Sequence, residues 1–198
     1  QMQRGQGAAT EVWSPAQTQA RFPWLNVEDI AAASFGPRDE GWFDNMGLLS
    51  GFRAAAKAQG GQFITEEALG LEMSGGRVTA VTLRKSGRVA CGHAVNAAGT
   101  RAAVVAVWAG LTVPVEPRKR TLFVFDCAKT PEGSATVNGG RLPLMIDPSG
   151  VFCRPEGRYF LSGAVPTDDP AVDWDDFEPR WEEFEDIVWP ALAARSPA

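Results

Sequence analysis

One histidine in 198 residues, His93, leaves little material for chemistry built on imidazole. A Ser-His-Asp arrangement and a His-rich metal site both need imidazoles at fixed relations to a nucleophile or to further ligands. His93 stands in a strand-like run and reads as a structural or surface residue. Cysteine is also sparse. Cys91, Cys127 and Cys153 lie far apart with no CxxC pair, which excludes a legible zinc site. An odd, low count of inert thiols points to a reducing compartment, and the cytoplasm is the expected location. Positive charge is not in surplus: 19 Lys and Arg stand against 24 Asp and Glu, for a net charge of −5. That balance excludes nucleic-acid binding as the main task. No apolar run approaches the length of a membrane span, and the first residues lack the apolar core of a signal peptide.

What the chain does have is apolar material and well-marked turns. Apolar residues make up 44% of it, enough to fill the core of one large domain or two small ones. The most informative segment is Val95-Asn96-Ala97-Ala98-Gly99-Thr100. A short apolar run there ends in small residues and opens into the apolar stretch from Ala102 to Leu111. It reads as a strand, a tight turn and a helix N-terminus. Without bulk at Ala97, Ala98 and Gly99 the backbone can approach a ligand closely, and N–H groups at the helix start suit phosphate or ribose oxygens. Plain packing at a strand–helix corner uses the same pattern.

Along the chain, Ser14-Pro15 predicts a capped helix running to about Arg21, stopped by Phe22-Pro23. Ile30 to Phe35 reads as a strand. Asp44 is a candidate N-cap for a helix whose apolar residues Leu48, Leu49, Phe52, Ala55 and Ala56 share one face, ended by Gly60-Gly61. Gln62 to Thr65 and Ala68 to Met73 follow as strands. Gly75-Gly76 is a hairpin turn into the alternating run Arg77 to Arg84, and Ser86-Gly87 turns into Arg88 to Val95. The expected product is a three-stranded antiparallel meander. Beyond Pro114, strands are expected at Arg118 to Asp126, Leu142 to Ile146, Val151 to Arg154 and Tyr159 to Leu161, with a polar loop at Thr130 to Arg141. Phe177, Trp181, Phe184 and Val188 fall at helical spacing, so a last, acidic helix capped by Asp175 is expected. Its charge run, Asp168 to Asp186, reads as a solvated face. The chain begins at Gln1 and stops at Ser196-Pro197-Ala198 just after that helix, and is expected to be an excerpt of a longer protein.

Taken in order, Trp13-Ser14-Pro15, Phe22-Pro23-Trp24-Leu25, Glu40-Gly41-Trp42-Phe43-Asp44, Val95-Asn96-Ala97-Ala98-Gly99, Pro114-Val115-Glu116-Pro117-Arg118-Lys119-Arg120 and Arg154-Pro155-Glu156-Gly157 form a series. It resembles the central part of a D-amino-acid oxidase-type, FAD-dependent oxidoreductase. The resemblance implies an α+β chain: an antiparallel substrate-domain sheet with flanking helices, plus part of a two-dinucleotide-binding FAD domain. Residues 1–43 would belong to the substrate or cap domain, 44–112 to a partial FAD-binding domain, and 113–198 to the substrate-domain sheet and helix. The family's opening GxGxxG unit is missing. Gly5-Gln6-Gly7-Ala8-Ala9-Thr10 has no third glycine or alanine in place and no strand before it, and reads as a loop.

The resemblance further implies hydride transfer from the carbon–nitrogen unit of a small amine or amino acid to FAD, with the flavin doing the difficult chemistry. A non-catalytic flavoprotein-like scaffold or assembly factor is the alternative, and a soluble α+β binding domain a third reading. Ala97, Ala98, Gly99 and Thr100 would lie against the adenine-nucleotide part of FAD. Ala68 would face the adenine through its backbone, or be an ordinary strand residue. Many relatives carry an aromatic after the glycine corner, where this chain has Arg101. Phe123, Phe125, Phe152 and Arg154 would lie on the sheet over the flavin and meet substrate. Arg154 would pair with a carboxylate, or be a surface arginine at a strand end, and core packing is the competing role for Phe123 and Phe125. Trp42 and Phe43 would border the entrance. Alone, such a chain is expected not to retain FAD, and its uncovered apolar faces to favour a homodimer.

Overall fold

The computed structural model describes residues 2–128, 130–131 and 142–197. The expected loop at Thr130 to Arg141 lies outside them except at Thr130 and Pro131. Helices and antiparallel sheets mix in two compact units. One comprises Gln1–Phe43, Arg120–Asp169 and Glu178–Ala198, and the other Asp44–Lys119 with Pro170–Phe177.

The first unit opens with a helical turn, α1 (Met2–Gly5), then pairs β1 (Glu11–Trp13) with β2 (Ala33–Phe35). The second strand is shorter than the run from Ile30 suggests. Between them α2 (Pro15–Arg21) is held by a complete capping box, in which Ser14 and Gln17 satisfy each other's backbone N–H groups. Trp13, Phe22, Phe35 and Trp24 pack ring to ring above this pair, with Phe22 buried.

The unit's main element is a four-stranded antiparallel sheet of β6 (Leu122–Phe125), β7 (Met145–Ile146), β8 (Phe152–Glu156) and β9 (Tyr159–Gly163), in the order β6-β9-β8-β7. Glu156 pairs with Tyr159 across Gly157-Arg158, and Gly157 has φ +61, which a side-chain-free residue adopts without strain. Pro155 and Glu156 therefore belong to the strand, not to the turn. Directly paired residues share a face. The register puts Phe123, Phe125, Phe160, Ser162 and Cys153 on one side, and Leu122, Val124, Leu161, Phe152, Arg154 and Glu156 on the other.

The first of these faces is covered by the C-terminal helical stretch, where Phe123, Val151 and Val188 form the buried core with Phe184, Ile187 and Leu192 against it. This stretch starts at Glu182, later than the apolar spacing suggests. Pro179 disfavours helical backbone at the residue before it. The Arg180 N–H instead bonds the Thr121 hydroxyl at 3.3 Å, and Phe177 and Trp181 are left 84% and 68% exposed. The stretch widens to π geometry at Phe184–Val188, where the Trp189 N–H reaches Phe184 O, before continuing as α5 (Trp189–Arg195). The cause is Pro190, which has no N–H to give and whose ring crowds the preceding turn.

In the second unit Asp44 caps α3 (Asn45–Ala58) by accepting from the Met46 and Gly47 N–H groups, and Gly60 at φ +87 ends it. The meander follows as β3 (Ala68–Ser74), β4 (Arg77–Leu83) and β5 (Gly87–Ala90), with Gly75 and Gly76 both at positive φ in the first turn. One expected strand does not form and another is cut short. Gln62 to Thr65 has no ladder partner among the described residues, and β5 stops at Ala90, where the chain bends at Gly92 and leaves Val95 92% exposed. Backbone without a neighbour to bond does not hold as a strand. The helix after the small-residue corner, α4 (Ala102–Trp108), ends early because Gly110 at φ +71 lets the Leu111 N–H fold back to Ala106 O at 3.0 Å.

Arg195 closes the first unit. Its side chain is 8% exposed, and its guanidinium bonds Asp29 at 2.7 and 2.9 Å, Asp147 at 2.6 Å and the Asn26 carbonyl. The Arg195 hydrogen bond holds the Asp29 carboxyl below its ordinary pKa. Burial pushes Asp147 up, but bonds from Ser149 and Arg195 outweigh it and leave this carboxyl lowered as well. A lowered folded pKa gives stability that is complete above the unfolded carboxylate value of about 4 and is lost as pH falls through the folded value. Arg195→Ala, which strands the buried Asp147, is expected to cost about 3 kcal/mol at pH 7. Urea unfolding should show the gap between wild type and variant closing as pH drops towards 3, and a gap independent of pH would contradict this account.

Candidate functional site

The four sequence-chosen substrate residues do not share a face. Phe123 is 4% exposed in the covered core, its ring 5.2 Å from that of Phe184. Phe125 lies beside it, 5.7 Å from Phe184 and 5.9 Å from Phe160. Phe152 and Arg154 stand on the opposite, open face among Leu122, Val124 and Ile146, which are 58%, 57% and 69% exposed. Gly163 allows this packing, since a Cβ there would come within 3.1 Å of Leu122, Phe152 and the Thr121 carbonyl.

Arg154 is the cation of the open face. Its guanidinium bonds the Pro155 carbonyl at 3.0 Å, pairs with Glu156 and lies 5.7 Å from the centre of the Trp42 ring. Trp42, expected at the entrance, is thus brought to Arg154. Phe43 is 68% exposed. Glu156 and the packing role of Gly163 were missed by sequence reasoning, although alternation along β8 puts Glu156 beside Arg154.

The covered face borders a cavity of about 800 Å³, lined by Phe125, Phe160, Met145, Trp24, Trp189 and Cys153 among others. Burial, with Cys127 nearby, pushes the Cys153 thiol up to about 11. It is therefore protonated at neutral pH and a poor nucleophile. No cluster able to hold a metal occurs among the described residues. No described helix is long and apolar enough to cross a membrane.

In the other unit the corner at Ala97 to Thr100 is a tight turn pinned by Asn96, whose amide donates to Ala102 O at 2.8 Å and accepts from the Ala98 N–H at 3.3 Å. Gly99 adopts φ +56 and opens a 3-10 turn. Nothing lies within 4 Å of where its Cβ would be. Ala68 begins β3 opposite Leu83. The residues next to Ala68 and Thr100 meet: Arg101 is 3.9 Å from Glu67, and its guanidinium also sits 4.2 Å from the Trp174 ring centre. Arg101 therefore covers the Trp174 indole. Small side chains, an open glycine position and the Thr100 hydroxyl fit the adenosine side of a dinucleotide. Gly5 ends a single helical turn and Gln6-Gly7 turns out of it, so Gly5-Gln6-Gly7 forms no strand–turn–helix phosphate loop.

One unit thus carries a helix-backed antiparallel sheet with one open face, and the other a meander and a glycine corner. The profile of the DAO family, described as FAD dependent oxidoreductase, matches residues 1–198, and the chain belongs to that family. It is 34% identical over 228 residues to FAD-dependent oxidoreductase domain-containing protein 1 of Bos taurus, covering 100% of this chain and 46% of the relative. It is 32% identical over 114 residues to mitochondrial sarcosine dehydrogenase of Mus musculus, covering 55% of this chain and 12% of the relative. Among solved structures, L-proline dehydrogenase from P. horikoshii superposes with a TM-score of 0.81 at 21% identity, over 98% of this chain and 50% of that one. Glycine oxidase from Bacillus cereus gives 0.63 at 15% identity, over 99% of this chain and 50% of that one. These two show the fold. The chain spans about half the length of the FAD-dependent oxidoreductase domain-containing relatives it matches across its whole length.

The two sheet faces should respond differently to substitution. Phe123→Ala is expected to cost about 3–5 kcal/mol by emptying the core, whereas Arg154→Met, which removes a surface-type ion pair, should change stability by less than about 1 kcal/mol. Denaturant unfolding of both variants measures this, and a larger loss for Arg154→Met would reverse the assignment of faces.

Proposed function

We propose that this chain is the central part of a longer FAD-dependent enzyme that oxidises the carbon–nitrogen bond of an amine or amino acid. One observation carries the reading: a single guanidinium, Arg154, held in place by Glu156, Pro155 and Trp42 on a sheet face whose other neighbours, Leu122, Val124, Phe152 and Ile146, are apolar. The named activities of the L-proline dehydrogenase, glycine oxidase and sarcosine dehydrogenase relatives support small amino acids as the substrate class. When bound, FAD supplies the two-electron acceptor for the hydride leaving the carbon next to nitrogen. The chain's own residues bind and orient. The Arg154 fork takes a carboxylate bidentately and so fixes where the neighbouring carbon sits. Phe152, Leu122 and Val124 give an apolar floor that excludes water, and Phe123 and Phe125 hold that floor from beneath. Ala97, Ala98, Gly99, Thr100 and the Ala68 backbone accept the adenosine end of the cofactor.

The scarcity of cysteine supports a reducing compartment, the cytoplasm in this reading. The uncovered apolar side of α3, with Met46, Leu49 and Phe52 61%, 59% and 69% exposed, supports self-association as a homodimer. Light scattering of this chain should give a dimer mass, and a monomer at high concentration would count against it. Incubated with FAD and desalted, the chain should be colourless for want of a glycine-rich phosphate turn; a retained flavin absorbance band would sink the excerpt reading. In the full-length enzyme, Arg154→Met should raise KM for an amino acid by about tenfold or more. If no amine or amino acid bleaches the flavin of the full-length protein, the scaffold reading replaces the enzymatic one.

A further inference from the structure

The cavity of about 800 Å³ lies against the covered face of the sheet and has no role in the proposed oxidation. Trp24, Phe125, Phe160, Trp189 and Leu192 give it walls of aromatic rings and aliphatic carbon. Pockets for small ligands run from about 300 to 1,000 Å³ and are apolar with a few placed polar groups. This one has room for more than a single ring. Its charges are of one sign: no carboxylate occurs among the described residues that line it, whereas Arg21 and Arg154 both do. The Arg154 guanidinium is taken up by Glu156, the Pro155 carbonyl and Trp42. Arg21 ends α2, is exposed, and has no hydrogen bond or ion pair among the described contacts. Trp24 stands three residues further on, its ring set by an edge contact to Phe22 with centres 6.0 Å apart. The Trp24 indole N–H is buried without a hydrogen-bond partner, where such a group ordinarily finds an acceptor. Both donors leave the same short stretch of chain. One acidic head group can therefore serve the free guanidinium and, with a turn of the indole ring, the unbonded N–H.

We infer that this cavity binds the hydrocarbon chain of a fatty carboxylate, with the head group at Arg21 and Trp24. The walls favour hydrocarbon, since burying it removes apolar area from water and leaves no hydrogen bond unmade. The head group is anionic. An ammonium would meet Arg21 with no lining carboxylate to answer it, and an alcohol forgoes the charge-assisted bond. A single negative charge suffices, because only one of the two lining guanidiniums is free. The register separates this site from the open face, as Phe125, Phe160 and Cys153 all point to the covered side. The ligand undergoes no reaction there, so the inference stands apart from the oxidising function.

Calorimetric titration of the FAD-loaded full-length protein with hexanoate, octanoate and decanoate, all below their micelle concentrations, tests this. Affinity should rise by about fourfold for each added methylene. Decanol and decylamine should each bind at least about tenfold more weakly than decanoate. Arg21→Met should bring decanoate down to the level of decanol, and Arg21→Lys should keep most of its advantage. Trp24→Phe, which keeps a ring and removes the N–H, should weaken decanoate by about fivefold. Arg154→Met tells the two faces apart and should leave decanoate binding unchanged. No binding, or an affinity indifferent to chain length, would overturn the inference. So would wild-type affinity in both Arg21→Met and Trp24→Phe, or a loss of binding in Arg154→Met.

Discussion

The register of the β8–β9 hairpin is the constraint on which the rest of the first unit depends. A two-residue turn at Gly157-Arg158 sets Glu156 opposite Tyr159, and every pair back to Phe152 and Gly163 follows from it. A slip of one residue would exchange the faces of the whole strand. Arg154 would then be forced under the C-terminal helix, where a guanidinium loses its water, and Cys153 would emerge on the open side. The positive φ at Gly157 is thus tied to the chemistry of a residue three positions earlier. Ser162 reinforces the same choice. It is wholly buried, and its hydroxyl is satisfied only because the Phe152 carbonyl lies within reach in this register.

The two faces of that sheet have different physical characters. Beneath it, aromatic rings and the Val151–Val188 contact exclude water and supply cohesion. Above it, apolar side chains stay exposed around one ion pair. A surface of that kind gains from any partner that removes its apolar area from water while keeping the two charges paired. The glycine corner of the second unit follows a similar logic at backbone level. Its side chains are small, and Asn96 locks the turn through bonds to Ala102 O and from the Ala98 N–H.

Much of this architecture was legible in the sequence wherever the cause was local. Ser14-Pro15, Asp44, Gly60 and Gly75-Gly76 act within four residues of themselves, and each helix end or hairpin stands where its residue type demands. The family series was legible for a different reason: several short motifs in fixed order are specific together. What failed was long-range. The apolar spacing of Phe177 and Trp181 matches a helix, but Pro179 and a bond to Thr121, 59 positions away, hold the backbone out of it. Gln62 to Thr65 and Val95 have strand-like composition and no described neighbour to pair with. The candidate site was half legible, since the family resemblance named Arg154 and Phe152 together with Phe123 and Phe125. Only the observed register separated the first two from the others and put Glu156 at their side.

Arg195 joins residues 166 positions apart, and the second unit is an insertion between those ends. During synthesis this imposes an order. The inserted unit has all its residues once Phe177 has left the ribosome, and its meander is made of near neighbours that pair quickly. The first unit must wait, with Asp29 and Asp147 unpaired and the sheet's underside bare, until the last turn of α5 emerges. Nascent chains halted before Arg195 would therefore present that aromatic underside, including Phe123 and Phe125, as a binding surface for chaperones.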